Sequence, residues 1–250
     1  MVGTFYGIGV GPGDPELITV KAVRILNRVS YIFAAASSKN SYSLALDIVK
    51  PYLPPETPVE YLYFPMTYHS DTLENSWHKN GLRVAEVLRS GKDVAFVTLG
   101  DPLIYSTYIY LVRELYNLLG SVKIETVPGI TSFQAAASAC TVPLVEGEES
   151  LAVVSGAQGG EHLRRMLEVT DNVVLLKVYR NIDAVIDALE SQGLEKNACF
   201  VSRCGLEGES ISYDVRSLRG QKPHYLSLMI VKKKLQSVSA SDLPEVSSAR

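Results

Sequence analysis

Cysteine is scarce: the 250 residues hold three, Cys140, Cys199 and Cys204. An odd number in a chain this large does not make a disulfide framework. Cys199 and Cys204 have no second Cys or His pair at zinc spacing, so no structural zinc site is read here. All three read as buried or half-buried thiols. Histidine is nearly as rare, and His69, His78, His162 and His224 are spaced neither as metal ligands nor as a catalytic pair. No apolar run reaches the ~18 residues of a membrane span. The N-terminus lacks a basic segment followed by an apolar stretch, so no secretory signal is visible. Positive charge is not in excess either: 24 Lys and Arg stand against 27 Asp and Glu, a net charge of −3. That balance argues against nucleic acid or an anionic membrane as the main partner. The expectation is a soluble, cytoplasmic protein with no metal site of its own.

What is present is ordinary globular composition, 46% hydrophobic and 20% charged, which excludes wholesale disorder and fibrous structure. The length allows one large domain or two modest ones. Short apolar strands alternate with helical periodicity: Thr4–Val10, a helix over Glu16–Leu26, the strand Val29–Ala36, a helix near Ser43–Tyr52 and the strand Val59–Phe64. A long polar helix, Leu73–Ser90, leads to the buried strand Asp93–Leu99. A helix to Leu118, the strand Val122–Val127 and a small-residue helix Ser132–Cys140 follow. This order predicts an α/β domain with a mainly parallel sheet. The texture changes near Pro143. Beyond it, strands at Leu151–Ser155, Asn172–Val178 and Ala198–Ser202 alternate with helices at Glu161–Val169 and Ile182–Gln192. The last two strands, Ser210–Val215 and Tyr225–Val231, are separated by turns and are expected to pair with each other antiparallel. The reading is two α/β domains, 1–144 and 145–234, followed by a Ser-rich tail, 235–250, without apolar periodicity and therefore disordered.

The cluster Gly7-Ile8-Gly9-Val10-Gly11-Pro12-Gly13 fits no standard nucleotide frame. A dinucleotide fingerprint started at Gly7 would place its third glycine at Pro12, and one started at Gly9 would place it at Asp14. No Asp or Glu occurs between Glu16 and Asp47 to hold a ribose. The only Gly-Lys, Gly91-Lys92, is followed by Asp93 and cannot be a P-loop. Asp14-Pro15-Glu16 reads as a helix start with Asp14 as cap, but capping does not account for the glycines before it. Leu99-Gly100-Asp101-Pro102 and Val127-Pro128-Gly129-Ile130-Thr131-Ser132 repeat the arrangement after two further strands. Each alone would be a turn. Three Gly-bearing loops at the carboxyl ends of strands in one sheet point instead to a shared ligand cleft.

These three segments, in this order and spacing, resemble the tetrapyrrole methylases, S-adenosylmethionine-dependent enzymes that build cobalamin and sirohaem. The resemblance runs from Thr4 to about Lys233. The opening Gly3-Thr4-Phe5-Tyr6-Gly7-Ile8-Gly9-Val10-Gly11-Pro12-Gly13-Asp14-Pro15-Glu16-Leu17 and the stretch Leu176–Asn181 are most similar to the C20-methyltransferases of precorrin-2 or its cobalt complex. The resemblance implies two α/β domains with the cofactor between them, a homodimer, and a tetrapyrrole substrate. It implies cofactor contacts at Pro12, at Leu99, Gly100, Asp101 and Ile104, at Thr131 and Ser132, and at Val178, Cys204 and Leu228 from the second domain. Gly9, Gly11, Gly13 and Asp14 fall on the substrate side. The family often has a second Gly where Leu99 stands, which leaves backbone contacts in place there. Alternatives are another tetrapyrrole methylase, acting at C11 or C17, a methylase of this fold acting on protein or ribosomal RNA, or a non-catalytic carrier.

The sulfonium donor so implied is already activated. Alignment of two bound reactants can supply up to ~7–11 kcal/mol of the barrier, so a site built for positioning suffices. Asp14, Asp101 or a tyrosine are candidates for removing the C20 proton, as are water and the substrate itself. The run Tyr61, Tyr63, Phe64, Tyr68 could stack on a macrocycle or simply pack. Arg164, Arg165, Arg180 and Arg203 could pair with its carboxylates. Cobalt, if present, belongs to the substrate.

Overall fold

A computed structural model of the chain describes residues 1–37, 43–67 and 69–234. The expected tail 235–250 and Tyr68 therefore lie outside the described residues. Contacts divide the chain into two compact units, Met1–Ala135 and the part from Ala136 onward.

The first unit contains β1 (Phe5–Gly9), α1 (Val20–Leu26), β2 (Tyr31–Ser37), α2 (Leu44–Val49), β3 (Val59–Phe64), α3 (Ser70–Arg89), β4 (Val94–Thr98), α4 (Tyr108–Leu119) and β5 (Ile124–Val127). Its five strands are ordered β3-β2-β4-β1-β5 and all pair in parallel. Every residue of β1 and β4 is buried, as a parallel sheet covered on both faces requires. Tyr6, Ile8 and Val10 pack toward Ile25 and Leu26 of α1 and Ile48 and Val49 of α2. Phe5, Phe33 and Phe96 pack with Val84 and Leu88 of α3 and Leu111 and Leu115 of α4. Each of these apolar side chains contributes about 1.5–3 kcal/mol by leaving water.

The helix expected over Glu16–Leu26 is interrupted. Asp14 caps a single 3-10 turn, Pro15–Leu17, with its carboxylate accepting the Glu16 N–H at 2.9 Å. The backbone then becomes extended at Ile18, and α1 starts afresh with Thr19 Oγ1 accepting the Ala22 N–H at 3.1 Å. Two capping residues five apart gave the chain two places to start a helix, and it uses both.

The helix α5 (Ser132–Cys140) contains the division between the units. Beyond it lie β6 (Leu151–Ser155), α6 (Gly160–Val169), β7 (Asn172–Leu176), α7 (Ile182–Ser191), β8 (Ala198–Ser202), β9 (Ser210–Ser212) and β10 (Ser227–Lys232). The division falls before the change of sequence texture at Pro143. The loop that follows α5 is held by the second sheet: buried Lys232 on β10 donates to the Pro143 carbonyl at 2.9 Å and reaches Glu149 at 3.1 Å.

The second sheet is ordered β6-β7-β10-β8-β9. This corrects the expected pairing of the last two strands with each other. The final strand inserts between β7 and β8, antiparallel to both, and among the described residues β9 pairs only with β8. The reason is burial. All six residues of β10 are buried, whereas β9 is short and partly exposed, so the apolar strand takes the centre and the polar one the edge. Ala198, Phe200, Met229 and Val231 face a core shared with Leu163, Leu167, Val185 and Leu189 of α6 and α7.

Candidate active site

The strand order brings the three glycine loops together. β1 lies between β4 and β5, so the loops leaving the carboxyl ends of these three strands are neighbours. The chain runs from β1 to β2 on one side and from β4 to β5 across to the other, which makes this a topological switch point, where open α/β sheets bind ligands.

The loops are joined backbone to backbone. Gly11 and Gly100 form an isolated antiparallel bridge, with the Gly100 N–H donating to the Gly11 carbonyl at 2.7 Å. Gly11 adopts φ +85° and Gly100 φ +67°, where a side chain is strained. A Cβ on Gly9 would come within 2.6 Å of both the Gly100 oxygen and the Gly129 nitrogen. One on Gly129 would collide with the Gly100 oxygen and the Gly9 backbone. Asp101 completes the joint: its Oδ1 accepts the Leu103 N–H at 2.8 Å and its Oδ2 accepts the Gly129 N–H at 3.0 Å. Charge-assisted bonds of this kind contribute about 1.5–3 kcal/mol each when shielded from water.

Of the expected residues in the first unit, Gly9, Gly11, Gly100 and Asp101 meet in this joint. Pro12 and Gly13 are buried beside it, and Asp14 is half-buried as the cap described above. Leu99 packs partly against the core under α1 and α2. Ile104 is exposed within the run Leu103-Ile104-Tyr105, and Tyr105 takes φ +49°. Thr131 is buried and faces Gln134: the Gln134 Oε1 accepts the Thr131 N–H at 3.0 Å and its hydroxyl at 2.9 Å. Ser132 is half-buried as the first residue of α5. Gly129 and Gln134 are additions to the expected set. The first needs spatial adjacency to be recognised, but Gln three residues after Thr131 is a capping signal present in the sequence.

In the second unit the three expected residues gather at one end of the sheet. Leu228 on β10 stands opposite Leu176 and Val201, Val178 follows β7, and Cys204 follows β8. The Val178 side chain is fully buried in the core of that unit, and Leu228 is buried as well. Cys204 is half-buried, and burial beside the Glu209 carboxylate pushes its thiol up to about 12, so it stays protonated. The loop holding it is tied by Arg203, whose Nε donates to the Glu207 carbonyl at 2.6 Å, and by Glu209, which accepts the Gly205 N–H.

The remaining candidates are placed by ordinary contacts. His78 pairs with Glu114 at 2.9 Å. His224 Nδ1 accepts the Leu226 N–H at 3.1 Å, and burial together with nearby Arg203 holds this imidazole below its ordinary value. In the aromatic run, Phe64 is buried edge-on to Phe96 and Tyr63 is exposed. Arg164 lies 3.5 Å from Glu161. Among the described residues, no three His, Cys, Asp or Glu side chains are grouped to hold a metal ion, and no helix is long and apolar enough to cross a membrane.

A parallel sheet whose switch point carries three fused glycine loops defines an α/β ligand-binding unit, here followed by a second α/β unit. The family is settled by comparison. The model of the tetrapyrrole (corrin/porphyrin) methylases matches residues 4–215, and the chain belongs to that family. The cobalt-precorrin-2 C(20)-methyltransferase of Salmonella typhimurium is 35% identical over 235 residues, covering 93% of this chain and 98% of that protein. The precorrin-2 C(20)-methyltransferase of a Sinorhizobium species is 33% identical, covering 92% and 95%. Among solved structures, the uroporphyrin-III C-methyl transferase of Thermus thermophilus, complexed with S-adenosyl homocysteine, superposes with a TM-score of 0.64. It is 24% identical and covers 92% of this chain and 97% of that one.

Proposed function

We propose that this methyltransferase carries a methyl group from S-adenosylmethionine to C20 of precorrin-2 or of its cobalt complex, in cobalamin biosynthesis. The observation that carries the reading is identity of 33–35% with C20-methyltransferases over nearly the whole length of both chains. The joined loops fit the cofactor in one testable respect. A Cβ built on Gly100 meets nothing nearer than the Ile130 oxygen at 3.9 Å, so this backbone presents an open side to a ligand. The amino-acid part of the cofactor would lie there, against Leu99, Gly100, Asp101 and Ile104, with Thr131 and Ser132 beyond. Pro12 borders the cleft, and Gly9, Gly11, Gly13 and Asp14 face the macrocycle. From the second unit, half-buried Cys204 would contact the cofactor, with buried Val178 and Leu228 supporting that end of their sheet. We further propose that the enzyme works as a cytoplasmic homodimer.

The bound cofactor supplies an activated methyl group. The protein's part is to hold two reactants in line and to keep the joint rigid while they react. Both oxygens of Asp101 accept backbone N–H groups, and one oxygen of Asp14 accepts the Glu16 N–H as a cap. In this reading both are structural. Loss of the C20 proton restores conjugation between pyrrole rings, so water or the substrate itself can receive it.

Parallel incubations with labelled cofactor and precorrin-2, metal-free or cobalt-loaded, test the proposal by mass spectrometry. Addition of one methyl group at C20 of either is expected. Methylation at C11 or C17, or tight binding of the macrocycle with no transfer, would overturn it.

A further inference from the structure

We propose that Cys140 and Cys199 form an oxidation site, at which a small peroxide converts the buried thiol pair into a disulfide within the second unit. Cys140 is the last residue of α5. The chain leaves the helix there through Thr141 at φ +54°, and the Tyr213 hydroxyl donates to the Cys140 carbonyl at 3.2 Å, which fixes the helix end. Cys199 lies on β8, opposite Ile230 of β10. Its neighbours Ala198 and Phe200 face the core under α6 and α7. Strand alternation therefore turns Cys199 to the other face of the sheet, where it meets Cys140. The two sulfurs are 2.8 Å apart and 59 residues distant in sequence. A disulfide needs about 2.05 Å between sulfurs, so closure asks for a displacement smaller than one bond length.

The three thiols differ in environment, and the difference orders their chemistry. The two sulfurs share one S–H···S contact in which either can donate, and it holds Cys140 below its ordinary value and pushes Cys199 up. Cys204, pushed up to about 12, also stays protonated at neutral pH. Exposures of 1% for Cys140 and 4% for Cys199 admit only an oxidant about the size of water. Cys140 sulfur attacks one peroxide oxygen, the O–O bond breaks, the other oxygen leaves as water, and Cys140 becomes a sulfenic acid. Cys199 sulfur then attacks the Cys140 sulfur. The S–O bond breaks, and the departing hydroxide takes the Cys199 proton as a second water. Two thiols and one peroxide thus give one disulfide and two waters. The product closes a loop from the end of α5 to β8 and constrains the unfolded chain.

The test treats the native full-length chain with hydrogen peroxide, blocks remaining thiols in denaturant, and maps unreduced tryptic peptides by mass spectrometry. Cleavage after Arg203 places Cys199 and Cys204 in different peptides. The expected result is loss of two thiols, a Cys140–Cys199 cross-link reversed by dithiothreitol, alkylated Cys204, and a melting temperature raised by on the order of 5 °C. Cys204→Ser should cross-link as wild type does. Cys199→Ser should instead accumulate a sulfenic acid on Cys140 that dimedone captures. Survival of all three thiols, a link through Cys204, or a link only between chains would overturn the proposal. Should Cys199→Ser fail to fold, the wild-type map and Cys204→Ser still decide.

Discussion

Asp101 and Asp14 look alike in sequence, each in a Gly-Asp-Pro turn after a strand, yet their carboxylates do different amounts of work. Asp101 spans two loops, from Leu103 in its own to Gly129 in the next. Asp101→Asn replaces one acceptor with an amide nitrogen that can only donate. One of the two N–H groups then faces a donor, which should cost about 1–3 kcal/mol in urea denaturation. It should also weaken S-adenosylhomocysteine binding by tenfold or more, read by calorimetry. Asp14 caps one 3-10 turn near the surface, and asparagine caps as well as aspartate. Asp14→Asn should leave stability within about 0.5 kcal/mol and single-turnover methyl transfer within tenfold of wild type. A loss beyond a hundredfold at unchanged cofactor affinity would make Asp14 the base after all.

At the scale of elements, the glycine loops separate close approach from conformational need. Gly129→Ala drives a methyl group into backbone atoms of Gly9 and Gly100, none of which ends a flexible side chain. Overpacking of that kind costs about 1–3 kcal/mol and should force the loops apart, lowering both melting temperature and cofactor affinity. Gly100→Ala strains φ +67° but meets open space. The cost in stability should be about 1–2 kcal/mol, with near-native circular dichroism and cofactor affinity lost. Wild-type cofactor affinity in Gly100→Ala would make this loop a turn and nothing more. The contrast also shows what was readable in advance. Gly-Asp-Pro and Pro-Gly-Ile-Thr mark turns through local chemistry, so the three loops and most of the elements were legible as residues. That β1 lies between β4 and β5 was not, because adjacency in a sheet is decided by tertiary packing, and with it went the reason why Gly129 must be glycine. The central place of β10 is hidden from local sequence for the same reason. Its unbroken Leu228-Met229-Ile230-Val231 run was the available sign of a strand buried on both faces.

Across the whole molecule, the residues that bind the loop after α5 to the second sheet lie far apart in sequence. Lys232 is 2% exposed and reaches the Pro143 carbonyl, Glu146 and Glu149. Glu149 also accepts the Asn172 amide, and that bond, with the Lys232 ammonium, holds its carboxyl below the ordinary 4.5. A carboxyl that ionises more readily folded than unfolded binds fewer protons in the folded state. Its stabilisation is therefore complete above its unfolded value and drains away as pH falls through the lower folded value. Asp171, lowered by the Ser150 N–H and hydroxyl, acts in the same direction. Stability should accordingly be level near neutrality and decline below about pH 4.5. Lys232→Met keeps an apolar stem but leaves the carbonyl and the two carboxylates without their cation. It should lose about 2 kcal/mol at pH 7, less than for a fully buried pair because Glu146 is half-exposed. The gap between variant and wild type should narrow as Glu149 protonates, since the ion pair is then absent from both. Urea denaturation at pH 7 and at a pH acidic enough, below the ordinary 4.5, to protonate folded Glu149 measures that gap on either side of the transition. Equal destabilisation at both would mean that Lys232 acts through its packed stem and its bond to Pro143, not through its charge.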